Sequence, residues 1–260
     1  MRRLVFLLSA LLPLSAAADS SLPFMKDIAG DRDLPRPWGI GLDFYTMDQD
    51  YSIDYLEFEL PIPGVTLGDP DDIKATNEVM HFDLKADVWL LPFLNVFGLV
   101  GRVDTDTLVD FSQAEITGLP FSLGTLPFSF DGTVLGGGFT LAYGTERWFA
   151  SATTTWTETD ISGDIDSSVS SFTVQPRVGL VRGNWTAWAG AMYLDVDENH
   201  TGTIELPYIG DVDFDIDLVT TDSWNYAIGV GHYFSDRASL TFEVGFGNRE
   251  HTLFNFNYRF

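Results

Sequence analysis

The sequence contains no cysteine. This absence excludes disulfide bonds, a thiolate metal site and a lipid-modified N-terminal cysteine. An exported chain without disulfide bonds needs another source of rigidity, and a sheet that closes on itself would supply one.

Basic residues and long apolar runs are also scarce. The chain has 14 Lys and Arg against 38 Asp and Glu, which gives a formal charge of −24. We expect no nucleic-acid partner, because binding nucleic acid requires a basic footprint. The longest apolar stretch, residues 88–100, is interrupted by Pro92 and Asn95. The sequence after the N-terminus therefore predicts no transmembrane helix, which needs roughly 20 apolar residues.

Residues 1–18 have the features of a cleavable secretory signal. Arg2 and Arg3 precede the short apolar stretch 4–14, and Ala16 to Ala18 offer an A-x-A cleavage site. Residues 19–37 are polar and contain proline, which predicts a short lead-in, and residues 38–260 are predicted to form one domain.

Apolar residues in this domain alternate with polar ones. Strands that cross a membrane as a barrel need ~9–11 residues of such alternation. Ten segments fit, at about 38–48, 77–90, 94–105, 131–143, 147–158, 171–182, 185–197, 222–235, 238–248 and 251–260. In the second segment, Met80, Phe82 and Leu84 share one face while Asp83 and Lys85 lie on the other. A polar face with both charge signs is typical of a barrel lumen.

The connections between the ten segments alternate between short and long, as expected for turns on one side of a membrane and loops on the other. Aromatic residues also group near the two ends of the segments, as interfacial girdles do. We therefore predict an all-β fold, a ten-stranded antiparallel transmembrane β-barrel with long extracellular loops.

The last strand carries a recognisable pattern. Phe254, Phe256, Tyr258 and the terminal Phe260 alternate with other residues, and this resembles the C-terminal signal of bacterial outer-membrane β-barrel proteins. The resemblance implies insertion by the barrel assembly machinery, contact with outer-membrane lipid and lipopolysaccharide, extracellular loops and periplasmic termini. It covers the class and names no functional family or partner protein.

The polar faces predict a set of charged side chains inside the barrel. A narrow barrel packed with ion pairs would be structural, and one with a water path would be a small-solute channel that prefers cations because acids are in excess. The predicted lumen charges are Asp43, Lys85, Asp87, Arg102, Asp104, Arg177, Glu243 and Arg259.

A catalytic alternative uses two further pairs. His81 and Asp83 would face Asp195 and Asp197 across the lumen, where His81 could act as a general base. This arrangement resembles the ten-stranded outer-membrane proteases called omptins, although the order of the pairs along the chain departs from theirs. The simpler interpretation is that His81 bonds a neighbouring carboxylate. The sequence has no G-x-S-x-G, H-E-x-x-H or P-loop motif, so we expect no enzyme of those classes and no organic cofactor.

Three long connections contain a similar short sequence, which begins with Leu-Pro and ends in Gly, at 60–64, 119–124 and 206–210. Proline and glycine predict hairpin tips there, so that the hairpins extend the wall above the membrane. After the third, Asp211, Asp213, Asp215 and Asp217 share one face, and a calcium ion would relieve their repulsion. The opposite apolar face, which includes Phe214, would either pack as a lid or recognise a partner, a surface-recognition or adhesion role.

Overall fold

A computed structural model describes residues 21–30, 32–59, 66–67, 72–114, 116–117, 124–162, 166–206 and 210–260. The predicted signal, residues 1–18, lies outside these residues, and so do most of the three Leu-Pro sequences at 60–64, 119–124 and 206–210. A 3-10 helix spans Lys26–Ala29, and thirteen strands follow. The strands are β1 (Trp38–Glu59), β2 (Thr66–Leu67), β3 (Lys74–Leu91), β4 (Leu94–Asp110), β5 (Ile116–Thr117), β6 (Thr125–Gly144), β7 (Trp148–Ser162), β8 (Asp166–Arg182), β9 (Trp185–Leu206), β10 (Gly210–Thr220), β11 (Trp224–Tyr233), β12 (Ala238–Phe246) and β13 (Arg249–Arg259).

Eleven of these strands form one antiparallel sheet that closes into a ring. The neighbours run β10-β1-β13-β12-β11-β9-β8-β7-β6-β4-β3, and β1 also pairs with β3 to close it. Strands β2 and β5 form a separate pair. Closure leaves the ring without an exposed sheet edge. We call the end with the tight links after β3, β6, β8 and β11 the turn end, and the opposite end the extended end.

The strand count differs from the ten predicted, because residues 210–220 form an eleventh strand within the wall. Near the turn end, β11, β12 and β13 lie between β9 and β1. Toward the extended end, β10 alone fills that interval and pairs with the last residues of both β9 and β1. The ring therefore has fewer strands at its extended end, and the segment predicted as a hairpin leg above the barrel is part of the barrel wall.

An apolar band surrounds the turn-end half of the ring. Its side chains point outward from alternate positions, for example Leu42 at 41% exposed and Phe82 at 54%. Aromatic residues border this band on both sides. Trp148 belongs to one border and Trp156 to the other, roughly 26 Å apart along the strand. Trp89, at the turn end of β3, faces inward, and its ring centre lies 5.8 Å from the guanidinium of Arg259.

The extended end has the opposite polarity. Its outward positions carry acids such as Asp50 and Glu57, while its inward positions carry buried apolar residues. One cluster fills the interior there, built from six of the wall strands and the residues beside them. It includes Tyr51, Ile53, Ala75, Val109, Phe111, Val134, Val196, Phe214, Ile216 and Leu218. The apolar face of β10 is thus buried inside the barrel and is neither a lid nor a free partner surface.

Because the polarity of the wall is reversed at the extended end, four charged side chains that the sequence predicted inside the barrel lie outside it. Asp195 and Asp197 on β9 are exposed on the outer surface, and so are Arg102 and Asp104 on β4. Arg102 pairs with Asp131 on that surface at 2.5 Å. Strands β4 and β9 keep their alternation through this region, but their inward side is mainly apolar there, whereas it is mainly polar beside the apolar band. Beyond the band, water surrounds the wall and the polar side chains turn outward.

Residues 21–30 and 32–37 lie across the turn end. The backbone N–H of Phe24 donates to the Leu90 carbonyl at 2.8 Å, and the Arg32 side chain donates to the Gly144 carbonyl at 3.3 Å. Arg36 pairs with Asp236, 2.8 Å away, and this hydrogen bond lowers the pKa of the Asp236 carboxyl. The segment therefore contacts the wall at well-separated strands and covers part of the opening.

None of the helical segments in this described part of the chain has the length and apolarity of a membrane-crossing helix.

Candidate functional site

The candidate site is a chamber inside the ring, with a volume of about 1170 Å³. It begins at the turn end, where Arg32 and Leu34 of the N-terminal segment and the turn residues Glu146 and Asp236 line its mouth. It ends against the apolar cluster, near Tyr51 and His200. The chamber is therefore open at the turn end and blind at the extended end.

One wall of the chamber carries ion pairs between strands. Lys85 Nζ lies 3.1 Å from Asp43 Oδ2, and Asn255 also donates to Asp43. Near the mouth, Arg259 Nη2 lies 2.6 Å from Asp87 Oδ1, reaching across the intervening strand β1. These four predicted lumen charges all lie inside the barrel, and each base has an acid partner.

Glu243 is the centre of a second lumen group and is 2% exposed. Arg177 holds it with two hydrogen bonds of 2.7 Å. Trp188 Nε1 donates to the same carboxylate at 2.5 Å, and His251 Nε2 lies 3.7 Å away. Four acceptor positions on a carboxylate can satisfy several donors at once. The sequence predicted Arg177 and Glu243 for the lumen but could not pair them.

Glycines in the wall make these long contacts possible. A methyl group on Gly39 would overlap the Asp87 carboxylate, and one on Gly229 would overlap the Trp188 ring. A methyl on Gly190 would approach Arg177 Cγ to 3.0 Å. The side chains of Asp87, Trp188 and Arg177 therefore lie flat over neighbouring strands that carry no side chain there.

Asp83 differs from the other lumen acids because it has no hydrogen-bond donor. Its Oδ1 is buried and unpaired among the described residues, and His81 Nδ1 is 4.0 Å away, beyond hydrogen-bonding distance. Its side chain is 13% exposed and lines the chamber. The neighbouring cation, Lys85, is bound to Asp43. Asp83 is therefore a carboxyl group without its own counter-charge.

The opposite wall is polar but uncharged. Strands β6, β7 and β8 line it with hydroxyl groups, of which Thr140 and Thr153 bond each other at 2.9 Å. The residues concerned are Thr140, Thr153, Thr155, Thr157, Thr159, Ser171 and Thr173.

The blind end of the chamber is mainly apolar. Side chains from several strands converge there as the ring narrows. They include Met47, Val79, Val103, Phe130, Ile161, Val169, Met192, Leu194 and Val196. Charged groups thus line the mouth and middle of the chamber, and its far end is mainly hydrocarbon, with Glu198 and His200 also in the lining.

The catalytic pairs suggested by the sequence do not meet. His81 and Asp83 lie inside the barrel, whereas Asp195 and Asp197 point away from it and cannot face them. The omptin-like constellation is therefore absent from these four residues.

Sequence reasoning missed a hydrogen-bonded set on β8 and β9. Ser167 Oγ lies 2.5 Å from His200 Nδ1, and His200 Nε2 lies 3.2 Å from Glu198 Oε2. The adjoining cavity at the extended end has a volume of about 30 Å³, room for about one water, and Ser167 lines neither cavity. The order of groups is that of a hydrolase triad, but neither of these two cavities among the described residues offers a substrate site beside the hydroxyl.

This set continues into a polar network within the apolar cluster. The Tyr51 hydroxyl bonds Glu198 and Asn77, and burial followed by the nearby Glu198 raises the pKa of Tyr51 well above its usual value. Thr107 donates to Asn77 at 3.1 Å. Tyr51 therefore stays protonated, and the network ties opposite walls of the extended end together. The sequence does contain a signal for this set. Glu198 and His200 lie at alternate positions after Val196, so the two-residue period of a strand places all three on the inward face.

The four aspartates of β10 line the outer surface and do not converge. Asn199 Nδ2 donates to Asp215 and Asp217 at 3.1 and 2.7 Å, and Thr203 donates to Asp213 at 2.5 Å. In the part of the chain that the structure describes, no three acidic or histidine side chains are grouped as metal ligands. Calcium binding at these residues stays a prediction.

Comparison with known proteins gave structural neighbours only. No protein-family model matches the chain, and no curated protein does. The transport unit of the autotransporter AIDA-I from Escherichia coli is 10% identical with a TM-score of 0.41, covering 94% of this chain and 96% of its own. An outer-membrane channel from Pseudomonas putida F1 is 13% identical with a TM-score of 0.37, covering 89% and 98%.

A third neighbour is a loop-deletion mutant of OmpT, an outer-membrane protein of Vibrio cholerae. It is 12% identical with a TM-score of 0.32 over 75% of this chain, and the match spans 61% of the OmpT mutant. These neighbours are bacterial outer-membrane β-barrel proteins, the class that the C-terminal aromatic pattern resembles.

Proposed function

We propose that this chain is an integral outer-membrane barrel that does not conduct and that holds a blind binding chamber open to the periplasm. The observation that carries this proposal is the apolar cluster that fills the interior of the extended end. An ion crossing that end would lose its hydration among side chains such as Phe111 and Val134, at a high cost in free energy.

Ten strands cross the bilayer in this proposal, and β10 lies wholly above it. The outward apolar band faces lipid and lipopolysaccharide, and its two aromatic borders lie at the interfaces. The extended end and its acids then face the exterior, and both termini and the turn end face the periplasm. The barrel assembly machinery would insert the chain through its C-terminal aromatic strand.

The narrowing of the ring supports a closed exterior. A ring of about eight strands leaves an interior that side chains can fill, whereas open porins use 16 or more. Where β10 replaces three strands, the ring approaches the smaller size. The cation-leaning channel considered from the sequence would need a water path through this packed region.

Electrical recording tests the claim that the barrel does not conduct ions. Purified protein in planar bilayers should give no reproducible current, and a steady cation current would overturn the blind chamber. Correct folding of the inserted protein is checked beforehand by the heat-dependent shift in gel mobility typical of intact barrels.

Thiol labelling tests the orientation and the opening. Because the chain has no cysteine, a single introduced one reports alone. Ser239→Cys lies in the chamber near its mouth, and Ser168→Cys lies exposed on the extended end. A polymer-linked maleimide that cannot cross porins should label Ser168→Cys on intact cells, and Ser239→Cys only after the outer membrane is permeabilised. Labelling of Ser239→Cys on intact cells would contradict the proposal.

A further inference from the structure

The chamber is larger than packing requires. A volume of about 1170 Å³ exceeds the usual range of small-molecule sites, roughly 300–1,000 Å³. Its lining changes from charged to apolar between the mouth and the blind end. A ligand that matches this lining has a polar group at one end and hydrocarbon at the other.

The charge of the polar group follows from the ion pairs. The three cations that the wall strands present to the chamber are each held by an acid, since Lys85 binds Asp43, Arg259 binds Asp87 and Arg177 binds Glu243. Two further cations, Arg32 and Arg237, lie at the mouth. Beyond the mouth, an anionic ligand would have to break one of these pairs. Asp83 is the lumen acid that has no donor among the described residues, and it lies on the chamber wall.

The position of Asp83 suits such a ligand. Its Oδ1 fills the space over Gly101, where an added methyl would overlap it, so the carboxyl group lies against the wall and leaves the chamber beside it open. Toward the blind end, the same strand presents His81, Val79 and Asn77 to the chamber, roughly 20 Å along the strand. This leaves an alkyl chain room beside Val79, Val103 and Met192.

We infer that the chamber binds a small amphiphile whose ammonium group pairs with Asp83 and whose hydrocarbon part lies in the blind end. A metal ion does not match the site, because no three acidic or histidine ligands converge among the described residues. This inference rests on the proposed chamber and adds the chemical class of its ligand.

The test uses three probes with the same eight-carbon chain: octylammonium, octanol and octanoate. Each is titrated into the full chain in nanodiscs of zwitterionic lipid, with empty nanodiscs as the reference for partition into lipid. Binding is measured by native mass spectrometry and calorimetry, so that stoichiometry and affinity are both obtained.

Wild type should bind one octylammonium at least about tenfold more tightly than octanol, because a hydrogen bond to a charged group is worth more than a neutral one. Asp83→Asn should remove this preference and leave octanol binding unchanged. Asp104→Asn, an acid on the outer surface near the same level, should leave the preference intact. The unfolding temperature of each variant confirms that the barrel is folded.

Other outcomes separate the two claims. Equal binding of octylammonium by wild type and Asp83→Asn would refute the role of Asp83. Preference for octanoate would refute the cationic class. Failure of all three probes to bind would overturn the ligand inference, while the closed chamber itself would still be judged by conductance and by labelling of Ser239→Cys.

Discussion

Arg177 on β8 and Glu243 on β12 form a bidentate ion pair, although β9 and β11 lie between their strands. Both hydrogen bonds measure 2.7 Å, and both side chains are mostly buried at 15% and 2% exposed. The pair joins distant parts of the wall across the interior.

Removing one partner of this pair should be costly. Arg177→Met leaves Glu243 buried without its cation, and we expect a loss of about 3–5 kcal/mol in the free energy of unfolding. Urea unfolding in lipid vesicles measures it. The double variant Arg177→Met with Glu243→Leu should recover part of the loss, because no uncompensated charge remains. Additive losses would show that the two residues do not interact.

The glycine at position 39 should tolerate no side chain. Gly39→Ala puts a methyl group into the Asp87 carboxylate, which must move away from Arg259, so we expect a loss of about 1–3 kcal/mol. Gly98→Ala is the matched control, since its nearest neighbour would be the Gly136 carbonyl oxygen at 3.8 Å. Thermal unfolding in the same lipid should separate the two variants, and equal stability would contradict the overlap.

Adjacent residues on β4 test the reversed polarity of the extended end. Val109 is 3% exposed in the apolar cluster, and Leu108 is 50% exposed on the outer surface. Val109→Ala should cost about 1.5–3 kcal/mol, whereas Leu108→Ala should stay within about 0.5 kcal/mol. Equilibrium unfolding provides both values. A larger loss for Leu108→Ala would mean that the inner and outer faces have been exchanged.

The outer acids of β10 should destabilise the extended end. Asp215 lies directly opposite Glu57, and Asp213 opposite Glu59, and like charges in these positions repel by about 0.2–1 kcal/mol a pair. Asp215→Asn should therefore raise the unfolding temperature. Sodium chloride should reduce the difference in unfolding temperature between this variant and the wild type, because salt screens the repulsion. Limited proteolysis of the extended end offers a second measurement.

Calcium distinguishes repulsion from a binding site. If the acids only repel, millimolar calcium should stabilise the wild type no more than sodium chloride or magnesium of equal ionic strength. A calcium-specific rise in unfolding temperature, lost in Asp215→Asn, would instead support the ion site predicted from the sequence.

The four charged side chains that were expected inside and lie outside share one cause. Polar-inward alternation is a rule for walls that face lipid, and the sequence prediction extends it along whole strands. On β9 the outward residue Tyr193 ends the apolar band, and Asp195 follows it on the same face. The phase of the alternation never changes, so the sequence offers no break at this point. The length of β9, Trp185–Leu206, was the available warning, because a spanning strand needs only ~9–11 residues.

The amino-acid sequence by itself determined the fold class and the face that each band residue presents, because a two-residue period is a property of the single strand. It also placed Asp43, Lys85, Asp87 and Arg259 on inward faces. The tertiary structure decided that β10 enters the wall between β9 and β1, that Arg177 reaches Glu243, and that Asp83 remains unpaired. These facts depend on which strands become neighbours when the ring closes, and strand pairing joins residues too distant in the chain for a local pattern to report.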